Sequence, residues 1–284
     1  MDTIMLATCA AWPDLSTSDQ CLAAALRARG RDVGAAPWNE RFEPFADARA
    51  VVVRSTWDYH RAPDAYLGWL ARLDPRRTFN APDLIRWNLS KAHVLDLGRR
   101  GAPVPRSMAV VADVSAVAAA LDTLGLHEAV IKPLIGASGF GVERVSRGAE
   151  AAALDRARAN KLMDRVLVQE FLPGIAHGEL SGVFFDGAFS HGLRRRAAPG
   201  EFRINWQYGG RMHATVLRPE LVEQMQRVVG LLPERALYAR VDGVVFDGRF
   251  VLMEVEVNEP GLGLDLAPGS ADRLAEALLA RLRA

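Results

Sequence analysis

Apolar and polar positions change period several times along the chain, and those changes predict its elements. Residues 4–8 form a short apolar run, 32–36 read as a second strand, and 50–54 as a buried third. Between the first two, residues 21–29 have helical spacing and stop at Gly30. Strands alternating with helices predict a parallel α/β sheet, with ligand sites beyond the carboxyl ends of its strands. Residues 64–73 continue as a helix, with Tyr66, Leu67, Trp69 and Leu70 as its apolar face. Asn80-Ala-Pro is a turn, 84–100 reads as one helix closed by Gly101, and Pro103 and Pro105 break the chain as a linker would. From 107 to 168 the order is strand, helix (115–124), strand, glycine loop, strand, helix and strand, a compact lobe of mixed pattern. Residues 166–172 leave it and Pro173-Gly174 turns. Short strands such as 182–185 then alternate with helices at 219–232 and about 271–283.

The most informative stretch is 240–261, where two apolar runs flank Asp247-Gly248 as in a hairpin. Alternation along a strand sets Glu254, Glu256 and Asn258 on one face and Val255 and Val257 on the other, with Arg240 and Asp242 on the partner strand. Carboxylate and amide oxygens are the hard ligands that Mg²⁺ takes, with substrate phosphates completing the shell. The same pattern also suits the solvated face of an antiparallel sheet, so both readings stand at this point.

Other polar groups cluster at predicted strand ends. Lys132 precedes a loop containing Gly136, Ser138, Gly139 and Gly141, whose backbone can approach a polyphosphate and offer N–H groups to it. The lysine comes before the loop and the glycines fall as G-x-x-G-x-G, so neither the Walker pattern nor the dinucleotide fingerprint is matched; an ordinary glycine hairpin fits as well. Lys91 is either a second phosphate cation or a solvated helix lysine. The backbone of Gln169-Glu170-Phe171-Leu172 can face an adenine edge, with Glu179 placed to accept ribose hydroxyls. Arg54-Ser55-Thr56-Trp57-Asp58-Tyr59 ends the third strand. Its guanidinium, hydroxyls, carboxylate and aromatics suit a small carboxylated substrate, or else a polar loop with its rings in the core.

Composition narrows the class. With 284 residues, 50% hydrophobic and 24% charged, the chain suits two or three lobes around a sizeable core. A net charge of +1, and no basic block longer than Arg194-Arg195-Arg196, argue against a nucleic-acid partner. No apolar run approaches the roughly 20 residues of a membrane span, and Asp2 without a basic start argues against a signal peptide. A cytoplasmic location is expected. Cys9 and Cys21 are too few for a disulfide scaffold and lack a zinc-like histidine pattern. Without a G-x-S-x-G elbow or paired histidines, a hydrolase is unsupported.

Taken in order, Lys91, Lys132 with its glycine loop, the Gln-Glu-Phe-Leu exit strand, Arg240-x-Asp242 and Glu256-x-Asn258 resemble the ATP-grasp superfamily. That superfamily includes D-alanine–D-alanine ligase and glutathione synthetase, and the resemblance runs from about residue 80 to the C-terminus. Arg54-Ser-Thr-Trp-Asp-Tyr59, Trp87-Asn-x-x-Lys91, Phe184-Phe-Asp-Gly-x-Phe-Ser-His191, Gly200-Glu-Phe-Arg203, Gln207-Tyr-Gly209-Gly210 and Tyr238-Ala-Arg-Val-Asp242 are similar to one subgroup. It includes the cyclo-ligase that closes O-ureido-D-serine to D-cycloserine. The implied fold class is α/β with α+β lobes. Residues 1–85 would form a parallel α/β substrate-binding domain and 105–168 a central lid lobe. Residues 86–104 and 169–284 would form a C-terminal lobe with the metal site, the two lobes clasping ATP.

The resemblance also implies roles. Lys91 and Lys132 would contact the α- and β-phosphates, with Gly136, Ser138, Gly139 and Gly141 in a lid over the triphosphate. The backbone at Gln169, Glu170, Phe171 and Leu172 would read adenine, and Glu179 would hold the ribose. Arg203 and Arg240, with Lys132, would neutralise the transferring phosphoryl group. Asp242, Glu256 and Asn258 would hold Mg²⁺, with Glu254 replacing Asn258 as the alternative. Arg195 would take a phosphate or carboxylate contact where relatives carry a lysine. Arg54, Ser55, Thr56, Asp58, Tyr59, Gly209 and Gly210 would face the substrate. The implied enzyme is an ADP-forming, ATP- and Mg²⁺-dependent ligase that activates a small amino-acid-like carboxylate as an acyl phosphate for attack by a nitrogen nucleophile. An intramolecular cyclo-ligase and a non-catalytic ATP-binding module are the alternatives. Such enzymes are commonly homodimers, though no surface stripe in this sequence argues for one.

Overall fold

The computed structural model describes residues 2–158 and 163–283. Its first unit contains β1 (Thr3–Thr8), α1 (Thr17–Ala28), β2 (Asp32–Pro37), α2 (Glu43–Ala46), β3 (Ala50–Val53), α3 (Pro63–Arg72) and β4 (Thr78–Phe79). The strands are parallel, in the order β2-β1-β3-β4. β3 is buried along its whole length, as a strand covered on both faces must be.

Two helices follow, α4 (Pro82–Leu89) and α5 (His93–Arg99), where the pattern predicts one. The chain breaks because Ser90 bridges to Ile135 and the Lys91 amide donates to the Leu134 carbonyl at 2.7 Å. Lys91 therefore leaves the helix surface and enters the interior.

The second unit contains β5 (Ser107–Val111), α6 (Val114–Leu124), β6 (Glu128–Pro133), β7 (Glu143–Ser146), α7 (Glu150–Arg158) and β8 (Arg165–Glu170). Its antiparallel sheet, β5-β8-β6-β7, has a core of its own that includes Val117, Leu121, Ile131, Leu154 and Val168.

The third contains β9 (Glu179–Phe185), β10 (Ala188–Arg196), β11 (Arg211–Thr215), α8 (Pro219–Val229), β12 (Tyr238–Phe246), β13 (Arg249–Glu256) and α9 (Ser270–Arg281). Its sheet is antiparallel, β11-β10-β9-β12-β13. Alternation gives it two apolar faces. Val183 and Phe185 pack with Leu22, Leu26, Leu274 and Leu278, whereas Phe184 and Val241 pack with Leu84, Leu97 and Met225. β12 and β13 pair around Asp247-Gly248 as expected, with Arg240 opposite Glu256 and Asp242 opposite Glu254. Among the described residues no helix is long and apolar enough to cross a membrane.

Beyond β13, consecutive carbonyls are each held by a side chain. Tyr238 donates to that of Asn258 (2.9 Å), Trp57 to Glu259 (2.8 Å), Arg54 to Pro260 (2.6 Å) and Arg240 to Gly261 (2.9 Å), and His191 Nε2 meets that of Leu262 at 2.8 Å. Trp57 and Arg54 come from the first unit, so this strap ties the first sheet to the third.

The expectation that Arg54 faces a substrate is therefore corrected. Its side chain is 1% exposed, with Nε donating to Asp19 at 2.8 Å. Ser55 donates to the other Asp19 oxygen, Thr56 shares a 3.0 Å hydrogen bond with Tyr66, and Asp58 accepts from the Trp38 indole at 2.6 Å. The cause is the burial of β3: residues continuing it stay interior, and a guanidinium there needs a carboxylate of its own. Arg54→Ala strands the buried Asp19 charge and should cost about 3–5 kcal/mol of stability. Urea unfolding measures this, and a loss below about 1 kcal/mol would contradict the structural role.

Candidate active site

A cavity of about 350 Å³ lies where the three units meet, a size within the range of small-molecule sites. Tyr59 enters it from the first unit, Lys132 from the second and Arg240 from the third. Cations and carboxylates from separate elements are matched along its floor. Lys91 Nζ is 2.5 Å from Glu254 Oε1, and Lys132 Nζ donates to Gln169 Oε1 at 2.7 Å. Burial lowers the pKa of Lys132 against the pull of Glu254; at Lys91 the adjacent Glu254 outweighs burial and the pKa rises. Burial alone would raise Glu254, but Lys91 and Lys132 bring it down to about 2.

The basic run 194–196 lies on β10, so its side chains alternate. Arg195 turns inward to Glu179 and Asp242, while Arg194 donates to the His177 carbonyl at 2.9 Å. Arg240 binds Asp242 at 2.9–3.0 Å and also Glu256. Burial, reinforced by Asp242, pushes Glu179 up to about 7 against the pull of Arg195. Burial likewise raises Glu256, with Asp242 and Glu254 adding to it against Arg240, and lifts Glu259 to about 8. These shifts come first from burial, the mark of an enclosed site.

The same carboxylates bear on Mg²⁺. Glu254, Glu256 and Asn258 line the cavity, and Asp242 is fully enclosed behind them between Arg195 and Arg240. Among the described residues no three Asp, Glu, His or Cys side chains converge on one point. A carboxylate or two plus an amide oxygen, with phosphates completing the shell, is nevertheless what Mg²⁺ uses. Asn258 Oδ1 accepts from Tyr66 at 2.7 Å, and its buried Nδ2 is a polar atom without a partner at the edge of this carboxylate set. The donor set fits the ion.

The glycine loop lies across the cavity. The Tyr59 hydroxyl is 3.4 Å from the Gly136 carbonyl, that of Tyr208 is 3.4 Å from the Gly139 carbonyl, and His60 stacks on Phe140 at 5.3 Å. Gly139 has φ +74°, and a Cβ there would meet Asn205 Oδ1 at 2.6 Å; at Gly141, φ +68°, it would meet Pro133 at 2.7 Å. Both positions therefore need glycine. Gly136, Ser138 and Gly139 line the cavity, while Gly141 faces Pro133.

The cavity's apolar lining includes Val130, Val142, Phe171, Leu172, Ile175 and Met253. The Glu170 carboxylate is engaged by Arg106 at 2.7 Å, and Arg144 lies 4.1 Å from the centre of the Phe171 ring. Arg203, on the rim, binds Glu201 at 2.7 Å, lies 3.7 Å from Glu143 on β7, and covers the Tyr208 ring at 3.8 Å. Of the remaining expected residues, Glu179, Arg195, Tyr59 and Gly210 line the cavity; Gln169 and Gly209 lie outside the lining, Gln169 accepting from Lys132.

Three contributors escaped the sequence reading. Asn88 clamps the end of β13, donating to the Val255 carbonyl at 2.7 Å and accepting from the Val257 amide at 2.8 Å. Its place in Trp87-Asn-x-x-Lys91 was a signal without a role attached. Asn205 buttresses the glycine loop, and no pattern marked it. Glu259, directly after Asn258, lines the cavity as a carboxylate that the strand alternation did not include.

Comparison with known proteins gives a consistent result. Residues 104–264 match the prokaryotic glutathione synthetase ATP-grasp domain family, and residues 4–80 match the family of the D-cycloserine synthetase DcsG N-terminal domain. The cycloserine biosynthesis protein DcsG of Streptomyces lavendulae is 29% identical over 268 residues, 87% of each chain. A glutathione synthetase of Parasynechococcus marenigrum is 31% identical over 214 residues, 73% of this chain and 65% of that protein. The crystal structure of D-cycloserine synthetase DcsG superposes with a TM-score of 0.85 at 25% identity, over 99% of both chains.

His93 beside this site makes stability pH-dependent. Its Nδ1 is 2.9 Å from the Ser90 carbonyl and its Nε2 is 3.5 Å from the Val255 amide, an arrangement that suits the neutral ring. Burial lowers its pKa from 6.5 to about 4. Between those values the unfolded chain binds the proton and the folded chain does not. Stability should therefore fall as pH drops through this window, by on the order of 3 kcal/mol at most. In urea titrations from pH 7 to 4.5, His93→Gln should flatten the decline; parallel wild-type and variant profiles would contradict it.

Proposed function

The chain belongs to the ATP-grasp ligases, and on that premise we propose how its cavity activates a small amino-acid-like carboxylate for attack by nitrogen. Members are ADP-forming carboxylate–amine ligases that work with ATP and Mg²⁺. The observation that carries the reading is the convergence of Lys91, Lys132, Arg195, Arg240 and Arg203 from separate elements on one cavity also lined by Glu254, Glu256 and Asn258. These cations are held by carboxylates and an amide. Phosphate oxygens would take over from those partners.

In this reading Lys91 and Lys132 hold the nucleotide phosphates, and Gly136, Ser138 and Gly139 cover them. The apolar lining around Phe171 and Leu172 receives the base, the exit strand reads its edge by backbone, and Glu179 holds the ribose. Glu254, Glu256 and Asn258, with Asp242 behind them, would hold Mg²⁺, which would supply charge neutralisation at the phosphates. Arg240 and Arg203 face the charge that develops as the substrate carboxylate takes the γ-phosphoryl group. An amine then attacks the acyl phosphate carbonyl, and phosphate leaves as the C–N bond forms. The loop covering the cavity keeps water from the activated acyl group. The same reading places the enzyme in the cytoplasm, with the implied homodimer as its assembly.

The intramolecular variant, in which nucleophile and carboxylate share one molecule, has specific support. The first unit matches the DcsG N-terminal family, and one continuous chamber runs from the phosphate cations to Trp57 and Glu259. A purely nucleotide-binding module is disfavoured, since every expected cation is present.

ADP release with Mg²⁺, measured alongside product mass, tests the reading. O-ureido-serine alone should give ADP and a ring if the cyclo-ligase variant holds; ADP only with a carboxylate–amine pair, and a product joined by loss of water, makes the enzyme an intermolecular ligase. No ADP with any substrate would contradict both. Lys132→Ala should lower turnover by about 10²–10³-fold while leaving thermal unfolding close to wild type. Unchanged ADP release would remove Lys132 from the phosphate site.

A further inference from the structure

Five acidic side chains line the cavity: Glu170, Glu179, Glu254, Glu256 and Glu259. Four have a cation of their own. Arg106 serves Glu170, Arg195 serves Glu179, Lys91 serves Glu254, and Arg240 serves Glu256. Glu259 is 8% exposed, and among the described residues no Lys, Arg or His nitrogen lies within 4.0 Å of its carboxylate. We infer that Glu259 anchors an ammonium group that the carboxylate substrate keeps through the reaction, an inference that rests on the ligase reading of this cavity.

The position is fixed by the fold. The Glu259 carbonyl is held by Trp57 and the next one, that of Pro260, by Arg54. Proline at 260 also restricts the backbone of Glu259 to extended conformations. A carboxylate in a nearly enclosed wall is costly unless a cation pairs with it, and among the described residues none does so within 4.0 Å; Lys91, which acts on it from farther away, is already paired with Glu254.

The chemistry selects the cation. Among the described residues Glu254, Glu256 and Glu259 form no three-carboxylate metal cluster, and unlike Glu259 the other two are each paired with a cation. Glu259 lines the same cavity as Trp57 and Tyr59, and its backbone carbonyl accepts from the Trp57 indole. Aromatic rings favour a cation beside them, and an ammonium brings N–H donors that suit a single carboxylate. The substrate class is therefore an amino acid whose amine stays free.

The test compares D- and L-amino acids and O-ureido-serine with their N-acetyl derivatives, supplied alone and with amine partners, reading ADP release at saturating ATP and Mg²⁺. Wild-type enzyme should lose about 10- to 150-fold in kcat/KM on acetylation. Glu259→Gln should lose a similar factor on the free-amine compounds, chiefly in KM, with KM for ATP within about twofold of wild type. Glu259→Asp should restore part of the loss, which separates lost charge from lost fold. Equal use of acetylated compounds, or an unchanged KM in Glu259→Gln, overturns the inference. A variant altered only in its Mg²⁺ requirement also overturns it, by making Glu259 a metal ligand. Turnover of acetylated carboxylates leaves the ligase reading intact, whereas ADP from no compound sinks both.

Discussion

Carboxylates buried on β12 and β13 can remain in the interior only with cations beside them, and those cations come from distant parts of the chain. Lys91 comes from the break between α4 and α5, Arg195 from β10 and Arg240 from β12. Removing one partner of such a pair leaves a stranded charge, so the network fixes how the elements meet. In the proposed reaction the same network would prepare the site for phosphate. Cations already desolvated and oriented need little reorganisation when the charge they face moves from a carboxylate to a nucleotide.

A second constraint works on the backbone. The carbonyls from Asn258 to Leu262 are each held, by Tyr238, Trp57, Arg54, Arg240 and His191. Asn88 grips the chain just before them. This strap is where the first unit contributes most directly to the site. Arg54 and Trp57 shape the cavity by positioning the residues that line it, and the indole of Trp57 lines it as well.

The elements that were legible in the sequence are those set by local period. The α/β order of the first unit, the mixed second unit, the hairpin around Asp247-Gly248 and the shared face of Glu254 and Glu256 follow from alternation and turn chemistry. What was not legible depends on partners far away in sequence. Residues 84–100 are periodic enough for one helix, and only contacts with Leu134 and Ile135 break it. Arg54 reads as a strand-end ligand until Asp19 is seen beside it. The run 194–196 reads as a basic cluster until its place on β10 divides Arg195 from its neighbours. Glu259 was missed because it lies just past the strand, where alternation no longer assigns a face.

The central claim is that this cavity makes an acyl phosphate from a substrate carboxylate. Turnover of a substrate whose carboxylate oxygens are ¹⁸O, with ATP and Mg²⁺, tests it most directly. The account predicts that each phosphate released carries one ¹⁸O atom and that ADP is the nucleotide product. Product formed with unlabelled phosphate, or with AMP and pyrophosphate, would contradict it.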